Sequence, residues 1–181
     1  MKIIYCDGSS LGNPGPAGWA VVAIDSHTKK VWEWGGREDR ATNNQMELTA
    51  TIVALEKILN SHRKDLKNLD EVSEENYKPI RDESSVFELR LDSKYVLQGA
   101  TEWMAGWIKN GWKNSQKKQV LNKNLWLQVS RLLDKIKQEG ISLRWAHVYG
   151  HTGEIWNERC DEIAKSFASK KAVKLRIGED Y

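Results

Sequence analysis

The sequence predicts a single α/β domain with one sheet and helices packed against it. Three apolar runs separated by turn residues open the chain, and helical patterns then alternate with two further apolar runs. The length of 181 residues is within the range of one domain. An apolar fraction of 40% and a charged fraction of 29% are close to those of a globular protein.

The first three elements are predicted to be strands. Residues 2–8 form a short apolar run that ends at Asp7, and a segment rich in glycine and proline follows at 12–18. Two more runs, near 19–26 and 30–38, complete a pattern that is typical of a meander.

The fourth element is predicted to be a helix over about 43–59. Thr42 and Gln45 lie three residues apart, which is typical of a capping box at a helix start. Apolar residues then keep helical spacing at Leu48, Ile52, Leu55 and Leu59. Residues 60–84 are polar and highly charged, with Pro79 as a breaker, and predict a charged surface insertion.

The second half of the chain predicts two further strands and their helices. A strand at 86–91 is followed by short helical stretches between 93 and 110 and by a longer helix from about 121 to 138. Residues 143–148 alternate like a strand. A loop at 150–153 leads to a final helix with an apolar face formed by Cys160, Ile163, Ala164 and Phe167.

Composition excludes several classes of protein. Cys6 and Cys160 show no zinc-binding or CxxC spacing, which favours a reduced, cytoplasmic location. No apolar stretch approaches the roughly 20 residues of a membrane span, and the first strand leaves no room for a signal peptide. The net charge of +3 is too small to indicate a nucleic-acid partner by itself. We expect a monomer without a membrane partner.

Four acidic residues are predicted to meet at one edge of the sheet. Asp7 and Asp92 each stand at the carboxyl end of a predicted strand, where ligands bind in open α/β sheets. Glu47 lies in the first turn of one helix, and Asp161 lies on another. Carboxylates brought together without cations repel each other, and divalent metal is the simplest compensation. The constellation predicts a two-metal nuclease site, whereas acids without such a setting, such as Glu33, are expected to be solvated.

Several ordered motifs together resemble type 1 ribonuclease H, the ribonuclease HI family. They are Tyr5-Cys6-Asp7-Gly8-Ser9, the segments 11–16, 42–47, 92–96 and 107–113, the loop 150–153, and Asn157-Glu158-Arg159-Cys160-Asp161. The resemblance covers residues 1–169, apart from 60–84, and leaves 170–181 as a basic, loosely held tail. It implies the ribonuclease H-like fold, a five-stranded mixed sheet flanked by helices. In that sheet the opening strands are antiparallel and the later two run parallel to the first.

The resemblance implies an endonuclease that hydrolyses the RNA strand of RNA/DNA hybrids, leaving 5′-phosphate and 3′-hydroxyl ends. Two Mg²⁺ ions, with Mn²⁺ as a substitute, would be held by the four acids. Asp7 would bridge both ions, Glu47 and Asp92 would lie near the leaving group, and Asp161 would hold the ion that activates water. His151 would assist proton transfer or product departure, although a loop histidine taken alone is more often solvated.

The segment 103–118 interleaves tryptophans with lysines and contains no acid. Lysines attract phosphates and aromatic faces stack on bases or sugars, so the composition indicates nucleic-acid contact. The helical spacing of Trp103 and Trp107 taken alone favours the core. The resemblance implies a channel for the DNA strand in this segment, with Trp103, Trp107, Trp112, Lys113 and Ser115 as its substrate-binding residues.

The resemblance implies two further substrate contacts. A pocket for a DNA phosphate would be formed by Arg40, Thr42 and Asn122. The 2′-hydroxyls of the RNA strand would be read by Asn13, Asn43, Asn44 and Gln45 beside Glu47. Amides both donate and accept hydrogen bonds, which suits a hydroxyl group that does the same.

Two alternatives belong to other functional classes. One is a hybrid-binding module that has lost catalysis, which the presence of all four acids and His151 disfavours. The other is a related polynucleotidyl transferase acting on DNA, which shares the architecture and the metal chemistry. The tryptophan–lysine segment and the asparagine motifs disfavour the transferase.

Overall fold

The computed structural model describes residues 1–70, 86–150, 153–171 and 173–181. Within these ranges there are six strands: β1 Lys2–Ser10, β2 Gly15–Asp25, β3 Lys30–Ala41, β4 Val86–Leu91, β5 Ser142–His147 and β6 Ile177–Asp180. The α-helices of the same ranges are α1 Asn43–Asp70, α2 Lys94–Gln98, α3 Met104–Lys109, α4 Lys123–Gln138 and α5 Ile155–Ala168. A π-helical turn, Gly99–Trp103, joins α2 to α3. No helix in the described ranges is long and apolar enough to cross a membrane.

The strands form one mixed sheet in the order β5-β4-β1-β2-β3-β6. β1, β2 and β3 are antiparallel, and β4 and β5 run parallel to β1, which confirms the predicted arrangement. Tyr5 pairs with Arg90 across β1 and β4. Continuing that register by two residues brings Asp7 level with Asp92, so both carboxylates reach the same edge of the sheet.

Two hydrophobic clusters cover the two faces of the sheet. Successive residues of a strand point to opposite faces, and accordingly Cys6 belongs to one cluster and Tyr5 to the other. The first cluster includes residues of α1 and α4 with Trp126 fully buried, and the second includes Cys160 and Ile163 of α5. The site therefore lies at the edge of a sheet that helices hold from both sides. Both cysteines are free and buried, as expected for small core residues.

Helix α1 ends at Asp70, well beyond the predicted end near residue 59. Lys2 donates hydrogen bonds of 2.7 Å to both Ser61 and Asp65, and Arg63 donates to Glu139, the residue that follows α4, at 2.5 Å. Lys2 and Glu139 are far from residues 60–70 in the sequence. The local pattern of residues 60–70 therefore shows that they are charged but not that they have partners. The first part of the predicted insertion is thus a continuation of α1, and residues 71–85 lie outside the described residues.

The end of the chain forms a sixth strand, which the predicted five-stranded sheet lacked. β6 pairs antiparallel with β3, with Lys30 opposite Asp180 and Val31 opposite Glu179. The backbone N–H of Arg176 also donates to the Oε2 of Glu33 at 2.9 Å. Residues 173–181 thus differ from the loosely held tail that their basic composition predicted. Glu33, expected to be solvated, is only 1% exposed.

Candidate active site

Asp7, Glu47 and Asp92 meet at the edge of the sheet. Each offers a carboxylate oxygen, and the three oxygens lie within 4.8 Å of one another. Gly8 makes this approach of α1 to β1 feasible, because a Cβ at that position would overlap the backbone of Met46 and Glu47. The glycine of the motif is therefore required by packing next to the carboxylates.

Burial and mutual repulsion make Asp7 and Glu47 hard to ionise in the absence of a cation. Asp7 and Glu47 are each 5% exposed. Burial, followed by the charges of Asp92 and Asp161, raises the pKa of Asp7 to about 7, although the Gly8 N–H donates to Asp7 at 2.8 Å and opposes the shift. Burial and the charge of Asp7 likewise raise the pKa of Glu47 well above its ordinary value. A bound cation favours the ionised forms and reverses both shifts.

The oxygen atoms of this group fit a divalent metal. The Oε2 of Glu47 is buried and has no hydrogen-bond partner among the residues that the structure describes. A buried carboxylate oxygen without a donor is costly unless something else satisfies it. Hard divalent cations prefer such oxygen ligands, and Asp7, Glu47 and Asp92 therefore could hold one.

Asp161 reaches the same site from α5. It lines one pocket together with the three clustered carboxylates. Its Oδ2 accepts a hydrogen bond of 2.6 Å from Lys165, one helical turn further on. The ammonium group of Lys165 therefore supplies a positive charge beside Asp161.

Asn157 is a site residue that the sequence analysis did not assign a role. Its side chain is 2% exposed, and its Nδ2 donates to the Oδ2 of Asp92 at 3.4 Å. Asn157, Asp161 and Lys165 are spaced four residues apart, which places them on one face of α5. This four-residue spacing was the signal in the sequence that could have identified Asn157 as a site residue.

His151 lies outside the described residues, and so does Thr152. The described residues on either side are held close to the site. Gly150 lines the pocket with the carboxylates. Beyond the loop, the carboxylate of Glu154 accepts from the Tyr5 hydroxyl at 2.5 Å and from Arg90 at 3.2 Å. The role of His151 stays a prediction.

A comparison with protein-family models shows the family to which the chain belongs. The model described as RNase H matches residues 1–169. The chain belongs to the RNase H family. The ribonuclease H of Cyanothece sp. (strain PCC 7425 / ATCC 29141) is 39% identical over 98% of this chain and 95% of its own length. That of Geotalea uraniireducens (strain Rf4) is 42% identical over 92% of this chain and 93% of its own length.

Solved structures of RNase H proteins share the fold. The crystal structure of LC11-RNase H1 in complex with RNA/DNA hybrid has a TM-score of 0.57 and 26% identity, covering 94% of this chain and 98% of that chain. The predicted ribonuclease H-like architecture is confirmed, and this RNase H is an enzyme of the ribonuclease H class.

In this RNase H, three of the predicted amide residues, Asn43, Asn44 and Gln45, lie at the start of α1, and Asn13 reaches them from the loop between β1 and β2. Asn43 and Asn44 line the carboxylate pocket, and the Oδ1 of Asn13 accepts from the backbone N–H of Asn43 at 3.1 Å. The Oε1 of Gln45 accepts from the Thr42 N–H at 2.8 Å, and the Thr42 Oγ1 accepts from the Gln45 N–H at 3.2 Å. The capping box is confirmed, and it engages the side chains of Thr42 and Gln45.

The tryptophan–lysine segment of the RNase H combines core packing with an exposed basic surface. Trp107 packs against the buried Trp126 with ring centroids 5.3 Å apart, and Trp112 also packs against the core. Trp103 is 38% exposed. The polar members of the segment are exposed at Lys109, Lys113, Ser115, Lys117 and Lys118. Trp107 and Trp112 are thus packed against the core while each keeps a partly exposed surface. Contact of the segment with nucleic acid stays a prediction.

The three residues of the predicted phosphate pocket lie on different parts of the fold. Arg40 is exposed near the end of β3, and Asn122 precedes α4, where its amide lies 3.5 Å from the Tyr95 hydroxyl. Thr42 lies between β3 and α1. The grouping of Arg40, Thr42 and Asn122 around a phosphate stays a prediction.

Proposed function

We propose that this RNase H hydrolyses the RNA strand of RNA/DNA hybrids at the pocket lined by Asp7, Glu47, Asp92 and Asp161. The observation that carries the proposal is the close approach of three carboxylate oxygens, within 4.8 Å of one another, in a chain of this family. The hybrid complex of LC11-RNase H1 supports the choice of substrate. The products are a 5′-phosphate and a 3′-hydroxyl end.

The cofactor of the proposed reaction is Mg²⁺, as two ions, with Mn²⁺ as a substitute. Asp7, Glu47 and Asp92 would supply oxygen ligands, and Asp161 would complete the site from α5. When bound, the metal supplies charge stabilisation at the phosphate and lowers the pKa of water. Asn157 orients Asp92 through its hydrogen bond of 3.4 Å.

His151 is proposed as the residue that moves a proton or helps the product leave. Glu154, Tyr5 and Arg90 anchor the chain just beyond it. An imidazole changes its charge near neutral pH, which suits this role.

The substrate is proposed to lie across the carboxylate pocket and the tryptophan–lysine segment. Asn43 and Asn44 line the pocket, where amides together with Asn13 and Gln45 would read 2′-hydroxyls of the RNA strand. The DNA strand would run over Trp103, Trp107, Trp112, Lys113 and Ser115, and the group Arg40, Thr42 and Asn122 would hold one of its phosphates. Exposed lysines favour such phosphate contacts. We further propose a monomer in the cytoplasm, which the two free cysteines support.

The proposal is tested by incubating the protein with labelled RNA/DNA hybrid, double-stranded RNA and double-stranded DNA, each with Mg²⁺ or with chelator. We expect loss of the RNA strand of the hybrid alone, and only with metal. Asp7→Asn is expected to abolish cutting and to retain hybrid binding. Asp134→Asn, which removes the same charge from an exposed position of α4, serves as the matched control.

Each alternative predicts a different result in this assay. A hybrid that is bound and left intact with Mg²⁺ would instead indicate the binding module. Cleavage of double-stranded DNA would indicate the transferase class.

A further inference from the structure

Glu33 is a buried carboxylate that the proposed chemistry does not use. It lies in β3, and its side chain has no exposed surface. Burial raises its pKa, but hydrogen bonds from Arg159 and from the Arg176 N–H outweigh burial and hold the pKa of Glu33 below its usual value. The group is therefore an ionised acid inside the protein, which requires a strong partner.

The partner is Arg159 of α5. Its Nε donates to Oε1 of Glu33 at 2.9 Å, and its Nη2 donates to Oε2 at 2.8 Å. This two-pronged geometry ties the position of the guanidinium to that of the carboxylate much more tightly than a single ion contact does. The pair therefore joins α5 to the first half of β3.

The C-terminal residues close this contact from outside. The carbonyl of Lys174 accepts a hydrogen bond from Arg159 at 2.7 Å. The Glu33 N–H donates to the carbonyl of Arg176 at 2.8 Å, and the Arg176 N–H donates to the Oε2 of Glu33 at 2.9 Å. Tyr181 packs edge-on against Trp156 of α5 with ring centroids 5.2 Å apart. The side chains of Glu33 and Arg159 are 0% and 16% exposed, so the contact between α5 and β3 is largely shielded from water, which strengthens it.

The opposite side of α5 carries the site residues. Arg159 and Asp161 are two positions apart, which is about 200° of rotation around an α-helix. Asp161 and Asn157 face the carboxylate pocket, while Arg159 faces Glu33. A rotation or a slide of α5 that breaks the Arg159 contact therefore also moves Asp161 relative to Asp7, Glu47 and Asp92.

We propose that Glu33 is a positioning residue for Asp161: through Arg159 it fixes the rotation and the axial placement of α5, and with them the geometry of the metal site. The inference rests on the proposed function, because it takes Asp161 to be a metal ligand. Mg²⁺ demands near-ideal ligand geometry, so a small displacement of one carboxylate weakens the binding of metal.

The test compares Glu33→Gln and Arg159→Lys with the parent and with Glu139→Gln. The control removes the same charge from an ion pair between Arg63 of α1 and Glu139, the residue that follows α4. Binding of Mn²⁺ to the protein alone is measured by calorimetry, the Mg²⁺ concentration for half-maximal hybrid cleavage is measured in parallel, and Tm is recorded for every variant.

We expect Glu33→Gln to weaken Mn²⁺ binding about threefold and to raise the half-maximal Mg²⁺ concentration by about the same factor. Substitution of a residue that hydrogen-bonds a metal ligand typically changes metal affinity by about 10- to 100-fold. The expected effect is smaller here because Glu33 acts one step further from the metal. Saturating Mg²⁺ should restore the rate. Arg159→Lys keeps a positive charge beside Glu33 and should show a change in the same direction. Glu139→Gln should leave both metal readouts unchanged.

Unchanged Mn²⁺ affinity in variants that melt at lower temperature would show that Glu33 only stabilises the fold, and would overturn the proposal. If Glu33→Gln does not fold, the milder Arg159→Lys decides by the same readouts. A parent protein that leaves hybrids intact refutes the proposed function instead, and the calorimetric comparison still tests the effect of Glu33 on the metal site.

Discussion

Replacing Asp7 by asparagine should stabilise the metal-free protein while it abolishes the proposed reaction. Asp7 is buried beside Glu47 and Asp92, and its pKa is raised from 3.8 to about 7. Asparagine has nearly the same shape, and its oxygen can still accept the hydrogen bond from the Gly8 N–H that Asp7 accepts at 2.8 Å. The substitution therefore removes mainly a buried charge.

The size of the effect follows from the pKa difference. A rise from 3.8 to about 7 corresponds to about 4 kcal/mol of lost stability once the group is ionised. The folded protein holds this proton more tightly than the unfolded chain does. The parent protein therefore loses stability as the pH rises from about 4 to about 7, and the full cost is present above that window. The gain of Asp7→Asn should be near zero at pH 4 and should approach about 4 kcal/mol at pH 8.

The assay is urea unfolding in chelator at pH 4, 5.5 and 8, followed by tryptophan fluorescence. Asp134→Asn is the control, because it removes an acid from an exposed position of α4. Saturating Mg²⁺ should raise the stability of the parent by about 2.7 kcal/mol at a hundred times its dissociation constant, and should raise that of Asp7→Asn much less. A variant that is no more stable than the parent at pH 8 would refute the reasoning, as would a gain that does not depend on pH.

Three further perturbations test other parts of the structure. Gly8→Ala should lower the free energy of unfolding in urea by about 3 kcal/mol and should weaken metal binding, because its Cβ would overlap the backbone of α1. A variant as stable as the parent would contradict the close approach of α1 to β1. Trp126→Phe should cost about 2 kcal/mol of stability, since the indole N–H donates to the Tyr95 hydroxyl at 2.9 Å, and an unchanged unfolding midpoint would argue against that packing. Lys113→Gln should weaken hybrid binding at low salt and should lower the salt slope by about 1, whereas an unchanged slope would remove Lys113 from the phosphate contacts.

Local sequence patterns were sufficient to predict most of the fold and the carboxylates of the candidate site. The capping box of Thr42 and Gln45 marks the start of α1 through hydrogen bonds between residues three apart. Alternation and helical spacing likewise depend on near neighbours in the chain. Because β4 runs parallel to β1, acids at the ends of these two strands meet at one edge.

Contacts between distant parts of the chain decided the length of α1 and the role of Asn157. The charged residues after position 59 continue α1 because Lys2 and Glu139 provide partners for them. Asn157 is a site residue because α5 packs where its amide meets Asp92. The length of α1 depends on partners that are distant in the sequence. The spacing of Asn157 and Asp161 shows that they share a face of α5, but it does not show the contact with Asp92.

The sequence by itself determined the family, the order of the elements and the four acids of the candidate site. Tertiary structure decided that Glu33 is a buried ion, that residues 177–180 form a strand, and that the amide of Asn157 meets Asp92. The physical reason is that a motif is defined by residues close together in the chain. The environment of a charge depends on the partners that folding brings to it, and for Glu33 the partner Arg159 lies 126 positions away.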